Sequence, residues 1–421
     1  MSQSAKKDKQ CIAVIGAGIV GVSTAIWLQR DGHDVVLIDR EGPAAGTSYG
    51  NGGVLASCAI APVNSPGLVK SAPAMLLKAD SPLFMRWSYL PKMLPWLMNY
   101  LVRANNKDAS HVAFALAQIL HDSLEQHQAL VDGTGAEKWL KPSDYLFVYD
   151  DRASFKKETF AWKVRGEMGF KWDEMNAEEF NAYDPIFQGT RNFAVRLKGH
   201  GLITDPGQYV IDLARHMEQQ GGKIITANVQ DIVQSAGQVT GVKTDNGIIE
   251  CDGVVLAAGV WSKELSEKLG VVTPLETERG YHIELINPSV MPRAAMMLAS
   301  GKFVITPMEG RIRCAGIVEF GGLEKSASKG PFALLKKQIH EAIPGLKYDS
   351  IEEWMGHRPA TTDSIPFIGP FENLKGAYAA FGHHHIGLTG GPKTGRMIAD
   401  MVANRKTNMD LAPYNVSRFT H

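Results

Sequence analysis

The sequence predicts an α/β chain in which a mostly parallel sheet, assembled from separated segments, joins a second region of helices and mostly antiparallel sheet. Three observations predict it. The apolar, β-branched run 12–15 leads through clustered glycines into a helical stretch and then a second apolar run, 35–38, the order of a parallel strand–helix–strand unit. A third apolar run, within 252–262, ends in small residues. Beyond it, short alternating segments at 281–285, 303–307 and 311–319 carry the period of half-buried antiparallel strands.

The first unit is the most specific. Gly16-Ala17-Gly18-Ile19-Val20-Gly21 is a G-x-G-x-x-G at the junction of strand and helix. The first Gly permits the tight turn, the second lets a pyrophosphate approach the backbone, and the third lets the helix pack on the strand. The helix, through Arg30, adds free N–H groups and a partial positive charge at its start. Gly32 stops it, and Asp39 ends the second strand where an acid meets the ribose hydroxyls of an adenosine. A glycine-rich turn in some other α/β protein is the plain alternative. It does not explain why strand, glycines, helix, second strand and acid all fall between Cys11 and Arg40. Dinucleotide binding by a Rossmann-like domain is therefore expected.

Composition narrows the rest. At 421 residues the chain can hold two domains, and its 44 basic and 44 acidic residues cancel, which argues against a nucleic-acid surface. Cys11, Cys58, Cys251 and Cys314 are far apart and lack metal-ligand spacing, so reduced, mostly buried thiols of a cytoplasmic protein are expected. The polar, lysine-rich residues 1–10 give no sign of secretion. No uncharged apolar run reaches roughly twenty residues, so no membrane span is expected.

Residues 46–54, Gly-Thr47-Ser48-Tyr-Gly-Asn51-Gly52-Gly53-Val54, are too glycine-rich for the interior of an element. Either this is a flexible surface loop or the backbone approaches a ligand closely. Its position directly after the acid favours the ligand. Here a resemblance becomes specific. The G-x-G-x-x-G, Asp39 with Arg40, and T-S-x-x-N-G-G resemble the FAD-binding segment of the D-amino acid oxidase superfamily, and within it most resemble the D-amino acid dehydrogenases. The likeness continues into Ala61-Pro62 and Pro66-Gly67. It implies FAD rather than NAD, with the second glycine stretch lying along the flavin. It further implies cofactor contacts at Val229 and at Ala258, Gly259 and Trp261, where the 252–262 strand returns to the cofactor sheet.

Along the rest of the chain, helices are expected at 109–131, 155–169, 177–183 and 207–221, and strands at 145–149, 192–204 and 223–227. A hairpin is expected from 239–244 through Asp245-Asn246-Gly247 to 248–251. His111, His121 and His127 fall on polar positions of the 109–131 helix, where solvated side chains are more usual than metal ligands. The Trp-, Met- and Leu-rich stretch 83–102 is interrupted by Arg86, Pro91, Lys92 and Pro95. It reads either as a core helical hairpin of a substrate domain or as an interfacial patch touching membrane or quinone.

Two C-terminal motifs complete the resemblance. Residues 356–370, with Arg358-Pro359 and Asp363, resemble the G-x-R-P-x-T-x-D-x-x-P-x-I-G motif of flavin amine oxidoreductases. In glycine oxidase-like members the Arg of that motif pairs with the substrate carboxylate, a role that suits a guanidinium fork. A bare Arg would more often be a surface residue. Gly382-His383-His384-His385 through Gly387, Leu388 and Thr389 resembles the loop that wraps the isoalloxazine ring, with the helix expected at 393–404 directed at the ring's pyrimidine end. Neighbours on an extended chain point to alternate faces, so no metal site is expected at the three histidines. Glu278-Arg279-Gly280-Tyr281-His282 matches the place where family members turn a strand into the substrate pocket. Tyr281, His282, His384 and His385 are thus candidate substrate-facing residues, and alternation sends only one of the first two inward.

The expected organisation is an FAD-binding domain from 10–75, 205–272 and 355–421, and a substrate domain from 76–204 and 273–354. The expected activity is oxidative deamination of a D-amino acid to a 2-oxo acid and ammonia, with hydride transfer from Cα to flavin N5 and electrons going on to a quinone or other carrier. The Trp/Met-rich 83–102 stretch favours the dehydrogenase form. Glycine, D-hydroxyproline or an opine-like secondary amine are alternative substrates. A flavoprotein subunit that only relays electrons, or an NAD-binding regulator without chemistry, are readings from other classes; Arg358 in its motif and the 47–53 loop argue against them. The expected location is cytoplasmic, with peripheral contact at the inner face of the membrane through 83–102 as an extension.

Overall fold

The computed structural model describes residues 9–66 and 81–420; Gly67 and the expected boundary at 75/76 lie outside them. Two large sheets organise these residues. The first has six strands in the order Phe367–Pro370, Ala377–Phe381, Gly253–Leu256, Cys11–Ile15, Asp34–Asp39 and Lys223–Thr226. All its pairings are parallel except that between the two strands nearest the C-terminus. The second is mixed, with the spine Ser350–Thr361, Leu275–Ile286, Arg311–Phe320, Phe303–Met308, Ala295–Leu298, Leu140–Tyr149, Phe193–Ile203 and Val54–Leu55. Most of its pairings are antiparallel, while Ala295–Leu298 runs parallel to Leu140–Tyr149.

The inner parallel strands Cys11–Ile15 and Gly253–Leu256 are covered on both faces and so read as continuous apolar runs, whereas the edge strand Lys223–Thr226 is only partly buried. The Ile19–Arg30 helix packs on this sheet and against the last helix, Gly387–Val402. Both contacts need glycine. A Cβ on Gly21 would lie 1.8 Å from the Gly16 carbonyl oxygen, and one on Gly395 would lie 2.6 Å from Thr24 N. The third glycine of the fingerprint therefore acts as expected, in packing helix to turn. In the mixed sheet, the Lys329–Ala342 helix seals one face over Ile283, Leu285, Ile305 and Ile317.

Several elements differ from expectation. The 109–131 stretch is two helices, Asn106–Leu120 and Ser123–Val131, broken at His121–Asp122. His127 is not on a solvated face: it is fully buried, bonded to Tyr209 Oη at 2.7 Å and Leu388 O at 2.8 Å. Burial pushes its pKa down to about 4. The 155–169 stretch divides into Arg152–Lys157 and Thr159–Glu167. A third strand, Val229–Ser235, joins the expected hairpin.

The 83–102 stretch is not a helical hairpin. A short strand, Leu83–Met85, and a single turn precede one helix, Leu90–Val102, which contains Pro95. Trp96 donates from Nε1 to Pro274 O and Ala360 O, both at 3.2 Å, and stacks on Tyr100. Trp87, Leu94, Met98 and Val102 remain exposed on its other side. Among the described residues, no helix is long and apolar enough to cross a membrane.

Candidate active site

Along the C-terminal ends of the parallel strands runs a cavity of about 910 Å³ that extends onto the mixed sheet. This is the crevice where open α/β sheets take their ligands. Gly16, Gly18, Ile19, Val20, Asp39, Arg40, Thr47, Ser48 and Asn51 line it, as do Val229, Ala258, Gly259, Trp261, Gly382, His383, Gly387 and Leu388. Ala17, Gly21, Gly52, Gly53, Val54 and Thr389 are not among its lining residues.

The fingerprint backbone is shaped for close approach. Gly16 has φ +107°, and a Cβ there would lie 2.5 Å from Ala257 O. The first helical bond runs from Val22 N to Gly18 O (2.9 Å), which leaves earlier N–H groups for a ligand; Ile19 N already donates to Ser48 Oγ at 2.9 Å. Asp39 is more engaged than its sequence position implies. Its carboxylate accepts from Ala17 N (2.9 Å), Glu41 N (2.9 Å) and Gly42 N (3.0 Å), tying the glycine turn to the next loop. Arg40 lies over the Trp261 ring at 3.9 Å.

The second glycine stretch is held from outside its own segment. Arg313 donates from Nη1 to Tyr49 O (2.9 Å) and to Asn51 O; His282 Nδ1 donates to Gly50 O (3.1 Å). Thr306 Oγ1 donates to Gly52 O (2.8 Å) and Ile203 N to Gly53 O (2.7 Å). Five consecutive carbonyls are thus captured by the mixed sheet. Gly53 has φ +77°, and a Cβ there would meet Ile203 O at 2.6 Å. Arg313 is fully buried and paired with Glu284 at 2.7 Å. Burial raises the Glu284 carboxyl, but Arg313 and Arg311 outweigh it, and its pKa falls below the usual carboxylate range. Sequence reasoning missed Arg313, Glu284 and Thr306, since nothing local marks them.

The Tyr281/His282 alternation has a definite outcome. His282 faces the glycine loop and stacks on Trp354 at 5.0 Å; burial, reinforced by Arg313, pushes its pKa down to about 3. Tyr281 faces the opposite way, toward Phe332, with Oη donating to Glu319 (2.6 Å) and accepting from Ser328 N (3.0 Å). Glu319 also pairs with Arg279 and Arg86, which makes this a buried polar knot.

On the His282 side of the sheet, Glu278 stands opposite Arg358, Gly280 opposite Gly356, and His282 opposite Trp354. The Arg358 guanidinium lies over Gly280, where a Cβ would come within 2.4 Å of Cζ, and Nη1 donates to Glu278 Oε1 at 2.9 Å. Trp354 folds over Gly356 and against Gly50. Trp354 and Gly356 line the cavity.

The three histidines sit in a turn rather than an extended run, with His384 at φ +47°. His383 Nε2 pairs with Thr394 Oγ1 at 3.0 Å, and His384 Nε2 accepts from Thr361 N at 2.6 Å. His384 Nδ1 is buried without a partner among the described residues, a site for a ligand acceptor. His385 is exposed, unlike its two neighbours. The final helix begins at Gly387, earlier than expected, so its positive end reaches the cavity.

These features fit FAD: two helix N-termini, a glycine turn open to pyrophosphate, and an orphaned ring nitrogen. Comparison with known proteins agrees. Residues 11–401 match the DAO family model, described as FAD dependent oxidoreductase. A D-amino-acid oxidase from Bradyrhizobium diazoefficiens is 36% identical over 97% of this chain and 98% of its own. A D-amino acid dehydrogenase from Allorhizobium ampelinum is 28% identical over 97% of this chain and 98% of its own. Among solved structures, glycine oxidase from Geobacillus kaustophilus superposes with TM-score 0.75 at 19% identity, covering 97% of this chain and 99% of its own. Fold, glycine geometry and full-length similarity together make the chain a member of the DAO family of FAD-dependent oxidoreductases.

Proposed function

We propose that the chain oxidises a D-amino acid to the 2-oxo acid and ammonia and passes the electrons to a quinone or another carrier. The observation that carries this reading is Arg358. It stands in the strand whose Trp354, Gly356, His357 and Pro359 line the cavity, directly beside that lining without being part of it, and apart from Nη1 its N–H groups have no acceptor among the described residues. Similarity to a D-amino-acid oxidase and to a D-amino acid dehydrogenase supports the substrate class.

Bound FAD supplies the acceptor for the Cα hydride. The protein's part is positioning. Arg358 would take the substrate carboxylate, Asp39 and the Gly16–Gly21 turn would hold the dinucleotide, and the Gly387 helix end would lend its partial positive charge to the bound flavin. In this reading segments 10–75, 205–272 and 355–421 serve the cofactor, and 76–204 and 273–354 serve the substrate. The exposed Trp87, Leu94, Met98 and Val102 side supports contact with a membrane or quinone acceptor.

The test is an anaerobic visible spectrum of the purified protein before and after D- and L-amino acids. Flavin bands should bleach with a D-amino acid and recover with a quinone analogue faster than with air. Arg358→Ala should slow bleaching about 100-fold or more, as expected for loss of a charged, bidentate contact. Unchanged bleaching would remove the carboxylate role.

A further inference from the structure

We infer that Glu278 receives the substrate's amine and, with Arg358, forms a clamp of two opposite charges for an α-amino carboxylate. The inference rests on the reading of Arg358 given above. Glu278 and Arg358 face each other across adjacent strands, with Oε1 and Nη1 2.9 Å apart. Their side chains are 10% and 17% exposed, buried but not sealed. Each keeps unused capacity: Glu278 Oε2 receives no hydrogen bond among the described residues, and Arg358 has N–H groups left over. The next positions on this face are Gly280 and Gly356, which bring no side chain of their own; the guanidinium lies over the first and the indole over the second, and the indole stacks on His282.

The charge pattern selects a zwitterion. An unpaired arginine would take any carboxylate, including the 2-oxo acid product. Beside Glu278 the site is locally neutral. A ligand bringing both charges satisfies both partners, whereas one bringing only a carboxylate leaves Glu278 deprived of its own pairing with Arg358 and matched by nothing. The α-amine and carboxylate of an amino acid share one carbon, which suits two receptors that already touch. Discrimination against the product follows, because oxidation and hydrolysis remove the amine that Glu278 binds. Glu278 thus acts by recognition and release.

The experiment measures binding of D-alanine and of propanoate, which differs from it only in lacking the amine, to FAD-loaded wild type, Glu278→Gln and Arg358→Ala. Propanoate is followed by calorimetry and D-alanine by the concentration dependence of anaerobic flavin reduction. Glu278→Gln should weaken D-alanine about 10- to 100-fold, the range for losing a hydrogen bond to a charged group, and should tighten propanoate. Glu278→Asp should retain the wild-type order of preference. A distorted site would weaken both ligands together, so a parallel loss, or unchanged D-alanine binding, overturns the inference. Propanoate binding that survives Arg358→Ala instead removes the carboxylate anchor, separating failure of that reading from failure of the clamp.

Discussion

The two halves of the cavity recognise by different means. On the parallel-sheet side the backbone makes the site: Gly16 at φ +107°, Gly21 against the Gly16 carbonyl, and N–H groups at the starts of two helices. On the mixed-sheet side the structure is carried by paired side chains, of which Trp354 lines the cavity: Arg313 with Glu284, Arg358 with Glu278, His282 on Trp354. Backbone recognition leaves little choice beyond glycine where the chain is tightest, since a Cβ at Gly16 or Gly21 would collide with neighbouring backbone. Side-chain recognition depends on register, since each pair joins residues distant in sequence. The 49–53 loop belongs to both, with glycines from the first half and carbonyls anchored by the second.

The sharpest way to break this contrast is Gly16→Val. A side chain there needs a strained positive φ and meets Ala257 O and Ala258 Cα below 3 Å. Purified protein should lose FAD almost completely, read from the absorbance ratio of flavin to protein. Full FAD content would mean that the backbone half is not the source of cofactor binding.

Arg313→Met probes the shared loop. Orphaning a buried charge costs about 3–5 kcal/mol, and Arg313→Met should cost less than that because Glu284 keeps its second partner, Arg311, at 2.7 Å. Thermal unfolding should fall accordingly, and FAD affinity with it, since Tyr49 O and Asn51 O lose their donor. Adding Glu284→Gln should recover part of the stability but not the affinity. Recovery of both would reduce Arg313 to an ordinary core residue.

Acid sharpens the comparison most gently. His127 has a folded pKa near 4 because burial disfavours its charged form, against about 6.5 unfolded. The unfolded chain therefore binds more protons between these values, so stability present above about pH 6.5 is lost as pH falls toward 4. At pH 5 the loss from this histidine is about 2 kcal/mol, by about 1.4 kcal/mol for each pH unit below 6.5. His282 and His383, with folded values near 3, add losses of the same sign. In denaturant titrations at pH 8 and 5, His127→Gln should show a smaller pH difference than wild type by that amount.

Legibility followed the same division. The glycine fingerprint, its strands and helix, the acid at 39 and the 46–54 loop could be read because turn geometry depends on immediate neighbours. The break at His121–Asp122 was not readable, since the apolar period continues across it. The buried place of His127 was hidden too, because its partners Tyr209 and Leu388 are 82 and 261 residues away. The helix start at Gly387 was masked by Gly390, Gly391 and Pro392, which look like loop residues but are tolerated where tight packing favours small side chains. Arg313 and Glu284 sit in two alternating strands that read equally well with polar residues facing solvent.

What the residues dictate on their own is local: an α/β chain, a dinucleotide turn, and an arginine in a motif shared with flavin amine oxidoreductases. Folding decided what those residues meet. Strand register set Glu278 against Arg358, the turn at His384 separated three adjacent histidines, and the mixed sheet captured five carbonyls of a loop from the other half. The reason is physical. Backbone conformation is governed by neighbours in the chain, whereas the partners, burial and charge state of a side chain are set by what the fold packs beside it.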